Sequence, residues 1–261
     1  MDKRKEILYD DELNDEFSLA QITPRKIDES YKYYHKSIFK RITHFFWYRM
    51  VFTPIAFFYT KIALHHKVVG RKLLKPYKKK GYFIYGNHTQ DIGDAFMPNM
   101  LNLPQDFYII VHANNVSMPF LGKITPSLGA LPLPEGMTAY KNFMSAIEKR
   151  IEEKCAIVIY PEAHIWPFYT KIRPFVDTSF SYPIRLGTPT FCFTNTYQKR
   201  RFSKKPKIVT YIDGPFSPNA ELNAKAQRQD LRNQVYERMC ERAKLSTVEW
   251  IKYTKRSEKN D

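Results

Sequence analysis

From Gly81 onward the chain alternates short apolar runs with helical segments, and this alternation restricts the fold more than any other feature. YFIY (82–85), DFYIIVH (106–112), LGALPL (128–133), CAIVIY (155–160), TPTFCFTN (188–195) and KIVTYI (207–212) read as strands. Several are unbroken apolar runs without in-and-out alternation, the pattern of strands covered by helices on both faces. Met137, Tyr140, Phe143, Met144, Ile147 and Ile151 recur at three and four, which predicts an amphipathic helix over 136–153. A later helix over 219–244 carries Leu222, Leu231, Val235 and Met239, and the final KYTKRSEKND is expected to fray. The expected fold class is α/β: a mostly parallel or mixed sheet flanked by helices.

Upstream, HFFWYRMVFTPIAFFYTKIALHHKVVG (44–70) is dense in rings and aliphatic side chains, but Arg49 and Lys61 interrupt it and Pro54 must bend any helix there. No unbroken stretch of about 20 apolar residues exists, which argues against a simple bilayer span. The expectation is a basic amphipathic and apolar helical region, a helix or broken hairpin lying in a membrane interface, with a helix covering the sheet as the alternative. Tyrosines, lysines and a histidine over 31–40 and the cationic RKLLKPYKKK (71–80) would meet anionic headgroups. The chain thereby divides into a membrane-associating N-terminal region, 1–69, and an α/β core, 70–261.

A formal charge of +16 attracts anionic lipid, nucleic acid or acidic proteins without choosing among them. Zinc-finger, RRM and KH signatures are absent and the aromatic density sits in an apolar segment, so nucleic acid is not an expected partner. Cys155, Cys192 and Cys240 are far apart, without CxxC spacing, and read as structural thiols in a reducing compartment. MDKRKEILYDDELNDEF has no apolar segment after its charges and does not read as a secretory signal, which puts the protein in or facing the cytoplasm.

The chemistry concentrates in YGNHTQDIGDAF (85–96). His88 follows the strand 82–85 and precedes the first turns of a helix, at the carboxyl end of a strand where ligands reach α/β sheets. Its ordinary pKa suits proton abstraction near neutrality when the second ring nitrogen is held by an acceptor, and Asp91 and Asp94 are both near in sequence. No nucleophile elbow is visible, so a histidine base here would activate the substrate's own hydroxyl.

Four blocks in order resemble the 1-acylglycerol-3-phosphate acyltransferase (lysophosphatidate acyltransferase) family over 70–214. Asn87-His88 with DAFM from Asp94 is similar to its NH-x4-D block, one residue longer, since Gly93 stands where the aspartate would fall. MPFLGKITPSLGALPLPE (118–135) is similar to the second block, but Glu135 stands at the arginine associated with the acceptor phosphate. YPEAHIW (160–166) resembles FPEG followed by Thr-Arg, with Pro161 and Glu162 retained and Ala163, His164 and Ile165 differing. GTPTFCF (187–193) resembles the fourth, with Cys192 in place of its second proline.

The resemblance implies an acyltransferase that moves a fatty acyl group from an acyl thioester to a hydroxyl of a lysophosphatidate-like glycerolipid. It implies His88 as general base and Asp94 as its partner, with Asp91 the alternative. Asn87, Glu162, Lys171 and Arg173 are the substrate-binding candidates. Glu162 would hold a substrate hydroxyl or brace its loop, and Lys171 and Arg173 are the nearest replacements for the missing cation. Oxyanion donors are sought near Gly129 or in the histidine loop. Acyl-CoA or acyl-carrier protein, an acidic partner, is the expected donor, with no metal or other cofactor. The expected location is the cytoplasmic face of the membrane, peripheral or monotopic. The alternative is a non-catalytic peripheral membrane lipid-binding protein that retains the acyltransferase fold.

Overall fold

The computed structural model describes residues 5–17, 23–34, 37–201 and 203–256. In chain order these form β1 (Lys5–Tyr9), α1 (Ile38–Phe45), α2 (Thr53–Phe58), β2 (Lys67–Val69), β3 (Tyr82–Gly86), α3 (Gly93–Phe96), β4 (Phe107–Val111) and α4 (Leu121–Ile124). There follow β5 (Ala130–Pro132), α5 (Met137–Glu152), β6 (Ala156–Ile159), α6 (Ser181–Leu186), β7 (Thr190–Arg200), β8 (Ser203–Phe216), α7 (Ala224–Ala243) and β9 (Ile251–Lys255). Among the described residues, seven strands make one mixed sheet in the order β2-β8-β7-β3-β6-β4-β5. Only β7 and β8 run antiparallel, and β3 lies between β6 and β7, parallel to both.

Both faces of this sheet are buried, which explains why its strands read as unbroken apolar runs. Phe83, Tyr85, Ile157, Ile159 and Cys192 pack with Phe143 and Ile147 of α5 and Leu231, Val235 and Met239 of α7. Their neighbours Tyr82, Ile84, Ala156, Val158, Phe191 and Phe193 point the other way and meet Leu74, Leu101 and Phe107. Each large apolar side chain taken from water here contributes about 1.5–3 kcal/mol, so the two-sided core dominates the stability of the fold. The α7 helix starts where the Asn223 side chain accepts the Ala226 N–H at 3.0 Å, a side-chain cap for an otherwise orphaned donor.

The α/β sheet with flanking helices is as expected; the membrane-associating helical region preceding it is not. Among the described residues no helix is long and apolar enough to cross a membrane. Residues 38–63 form no hairpin but a run of short helical pieces, with π-helical turns at Phe46–Phe52, between α1 and α2, and at Tyr59–Ala63, after α2. Pro54 supplies no N–H to the preceding turn, and the Thr53 hydroxyl bonds to the Tyr48 carbonyl at 2.7 Å, so the regular ladder is broken from within. The run is tied to the sheet instead. The buried Tyr48 hydroxyl accepts the Phe107 N–H at 2.7 Å and reaches Asn99 Oδ1 at 3.0 Å, and Arg49 bonds to Asp106 and the Pro104 carbonyl. Its outward face keeps Phe39, Phe45, Phe58 and Ile62 exposed.

Several further elements escaped the sequence reading, among them β1, α4 and α6. Lys67–Val69 forms β2, an edge strand parallel to β8. Residues 252–255, from the segment expected to fray, belong with Ile251 to β9, which pairs in parallel with β1. Over this small second sheet Trp166 packs with Tyr9, Tyr169, Phe17 and Tyr253, its ring stacked on Tyr253 at 5.0 Å. Residues 1–4 and 257–261, from the expected N-terminus and frayed end, lie outside the described residues, as do His35 and Lys36 of the 31–40 run.

Candidate active site

The polar residues of interest gather beyond the carboxyl ends of β3, β6 and β7. Gly86 closes β3 because no side chain fits: a Cβ there would lie 2.1 Å from the Phe193 ring. Asn87 then turns inward, 1% exposed, and is used up on β7. Its Oδ1 accepts the Asn195 N–H at 2.8 Å and its Nδ2 donates to the Asn195 carbonyl at 3.1 Å. This clip fixes where the next residue stands.

His88 emerges from the clip with its ring stacked on Tyr160, centroids 4.5 Å apart and planes 16° from parallel. Its Nδ1 lies 2.8 Å from Asp94 Oδ2, and Asp91 remains exposed away from it. The same Asp94 oxygen accepts the N–H groups of Thr89 at 2.8 Å and Gln90 at 2.9 Å. A Cβ at position 93 would lie 2.8 Å from the Gln90 Cβ, so this loop excludes an aspartate there and takes its carboxylate from the following residue. The longer spacing from histidine to aspartate thus has a steric cause.

Asp94 is 2% exposed, and burial pushes its pKa up while the His88 hydrogen bond and charge and the two amides pull it down. A carboxylate held by several N–H donors needs no water to stay charged. With Nδ1–H directed at Asp94, Nε2 of His88 carries the lone pair, and among the described residues it has no hydrogen-bond partner. The ring keeps 17% of its side-chain surface exposed. The arrangement can accept a proton from a small hydroxyl at Nε2 and stabilise the resulting imidazolium at Nδ1.

Glu162, just beyond β6, is 3% exposed and fully engaged. Its Oε2 accepts the His88 N–H and its Oε1 the Arg173 N–H, both at 2.9 Å. The Arg173 guanidinium is buried, lies over the Trp166 ring at 4.9 Å, and donates to the carbonyls of Glu12, Glu162 and His164. Burial raises the Glu162 pKa against the opposing charge of Arg173. The same loop is joined to the histidine loop by its backbone, Trp166 N–H to the His88 carbonyl at 3.1 Å and Phe168 N–H to the Thr89 carbonyl at 3.0 Å.

His88, Asp94, Asn87, Glu162 and Arg173 therefore belong to one connected cluster, whereas Lys171 lies exposed on the loop after β6. Glu135 is exposed beyond β5, three strands away from β3 in the sheet. The Gly129 N–H is directed at the Pro126 carbonyl at 3.3 Å, and those of His88, Thr89 and Gln90 at carboxylates, so none of these four is free for an oxyanion. Among the described residues no group of three or more His, Cys, Asp and Glu side chains is placed to hold a metal ion.

Sequence reasoning missed two members. Tyr160 supports the His88 ring and donates its hydroxyl to the Asp94 carbonyl at 2.6 Å, with burial keeping that phenol protonated well above its ordinary pKa. An aromatic residue directly before Pro161-Glu162 was the available signal. Asn195 gave none, since it reads as an ordinary strand residue after the fourth block.

Comparison with known proteins fits this geometry. The model of the Acyltransferase family matches residues 65–194. The crystal structure of the 1-acyl-sn-glycerophosphate (LPA) acyltransferase PlsC from Thermotoga maritima superposes with a TM-score of 0.54 at 16% identity, covering 80% of this chain and 89% of that one. At that identity the likeness establishes the fold. No curated protein matches the sequence. The family match and the shared fold support an acyltransferase-type reaction and leave the acceptor open.

Proposed function

We propose that this protein transfers an acyl group from an acyl thioester to a hydroxyl of a lysophosphatidate-like glycerolipid, with His88 as general base and Asp94 as its partner. One observation carries the reading: His88 Nδ1 is occupied by a buried carboxylate at 2.8 Å while the ring stays partly open at the end of the sheet. Nε2 takes the proton of the acceptor hydroxyl as its oxygen attacks the thioester carbonyl. Asp94 stabilises the imidazolium that forms. When the tetrahedral intermediate collapses, the C–S bond breaks and the proton passes from Nε2 to the departing thiolate.

The donor is acyl-CoA or acyl-carrier protein, both anionic, and a net charge of +16 favours their encounter. Because the Arg173 guanidinium is buried with both terminal nitrogens on carbonyl groups, Lys171 is the cation we assign to the acceptor phosphate. Asn87 and Glu162 act by holding the histidine loop. A lipid acceptor and a water-soluble donor meet at a membrane surface, so we place the protein at its cytoplasmic face as a peripheral protein.

The test is transfer of labelled acyl groups from acyl-CoA and acyl-carrier protein to lysophosphatidate, other lysophospholipids and simple alcohols. Wild type should form product with lysophosphatidate, and H88A should lose about 10²- to 10⁴-fold of the rate while remaining folded. Full transfer by H88A, or none by wild type across the panel, overturns the proposal.

A further inference from the structure

Behind Asp94 a chain of buried side chains runs across the sheet toward its β2 edge. Asn195 on β7 donates from Nδ2 to Asp94 Oδ1 at 3.5 Å, a long bond, and its Oδ1 accepts the hydroxyl of its cross-strand partner Thr210 at 2.6 Å. Thr210 Oγ1 in turn lies 2.7 Å from Nε2 of His66, the residue before β2. All three side chains are buried, Asn195 2%, Thr210 0% and His66 3% exposed.

The polarity of the chain follows from proton counting. Thr210 has one hydroxyl proton and gives it to Asn195 Oδ1, so it accepts from His66, whose Nε2 must carry hydrogen. With Oδ1 turned to Thr210, the Asn195 amide presents Nδ2–H to Asp94. Flipped, it would set its oxygen against the carboxylate. Burial pushes the His66 pKa down to about 3, so the ring is neutral near neutrality and serves as a fixed single donor. Every donor points toward Asp94, and no proton has to travel. Asn195 also holds Asn87 through its backbone, so one residue grips both sides of the histidine loop.

Resting on the acyl-transfer reading above, we propose that Asn195 and Thr210 are positioning residues for the His88–Asp94 pair. Thr210, backed by His66, sets the Asn195 amide so that its N–H restrains the second oxygen of Asp94. The carboxylate is thereby held at both oxygens, and the imidazole keeps one tautomer and one direction.

Three variants test this. Thr210→Val keeps the shape and removes the hydroxyl, Thr210→Ser restores it, and Asn195→Ala removes the amide but leaves the backbone clip to Asn87. The readouts are kcat and KM per folded molecule, the melting temperature, and the downfield proton resonance of His88 Nδ1–H, assigned by its disappearance in H88Q. N195A should lower kcat by about ten- to a hundredfold, in the range of residues that orient a catalytic ligand. T210V should lower it less, T210S should stay near wild type, KM should hardly move, and the resonance should shift or broaden in N195A and T210V alone. Kinetics within about twofold and an unmoved resonance in N195A and T210V overturn the proposal, as does a loss of kcat that follows only the folded fraction. If wild type transfers no acyl group, the reaction is wrong, and the resonance alone still decides the positioning role.

Discussion

The connected polar cluster has two halves, side by side beyond adjacent strands, and they are finished differently. Beyond β6, Glu162 and Arg173 direct their bonds inward: both carboxylate oxygens take backbone N–H groups and the guanidinium faces three carbonyls. Beyond β3, Asp94 is equally enclosed, but the residue it serves is not, since His88 keeps an unpartnered nitrogen on a partly exposed ring. The first leaves only the buried Arg173 Nε unpaired, with no open valence at the rim, and can hold loops; one with a single open valence at the rim can act on another molecule. Charge and burial look alike in the two, and the direction of the last lone pair separates them.

Perturbing one member at a time should pull the clusters apart. Asp94→Asn, which still fills the space but no longer carries charge, should cost about a thousandfold in transfer, or about 4 kcal/mol of barrier, with little change in melting. Transfer within tenfold of wild type would mean that His88 works without its partner. Glu162→Ala should act on stability instead, by about 3 kcal/mol in denaturant unfolding, because it strands the buried Arg173 charge. An unchanged unfolding midpoint with transfer abolished would place Glu162 in contact with substrate.

A smaller effect is expected behind the His88 cluster. The folded pKa of His66 is depressed to about 3 from 6.5, so its contribution is present above pH 6.5 and is lost as pH falls toward 3. Between pH 7.5 and pH 5 this one group should remove about 2 kcal/mol of stability, and H66Q, neutral throughout, should flatten that part of the unfolding curve. An identical slope in H66Q would show that the ring takes up no proton on unfolding. Least affected should be Lys171→Ala, with KM for a phosphate-bearing acceptor raised about threefold, worth under 1 kcal/mol for an exposed charge, and kcat unchanged. No change in KM would remove Lys171 from the acceptor site.

The legible part of the fold was the part whose signal is local. The six apolar runs from 82 to 212 all lie in the seven-stranded sheet, because two-sided burial writes itself into consecutive residues. Lys67–Val69 and Ile251–Lys255 carry no such signal, being short edge strands whose side chains, apart from the buried Ile251, are exposed or half-exposed and fixed by distant partners. The run 44–63 misled for the opposite reason: its composition suits lipid, but Tyr48 and Arg49 bind groups on residues 99–107 that no local window contains. At the candidate site the histidine corner could be read from strand, glycine and turn. The choice between Asp91 and Asp94 could not, since it rests on how the loop folds back to bring Asp94 Oδ2 against His88 Nδ1 and the Thr89 and Gln90 amides.

The pairing of β1 with β9 has a consequence for the timing of maturation. Lys5 lies opposite Ile251, so β1 has no partner strand until about 240 further residues have been made. Until then Trp166 lacks the Tyr253 ring it stacks on, and the histidine loop hangs from the Trp166 backbone amide. All strands of the central sheet precede β9 in the chain, so the loop bearing His88 receives its outer support after the last of them has been made. Competence therefore arrives only once β9 has been made, and a chain halted short of it would carry a recognisable sheet with an unsupported rim.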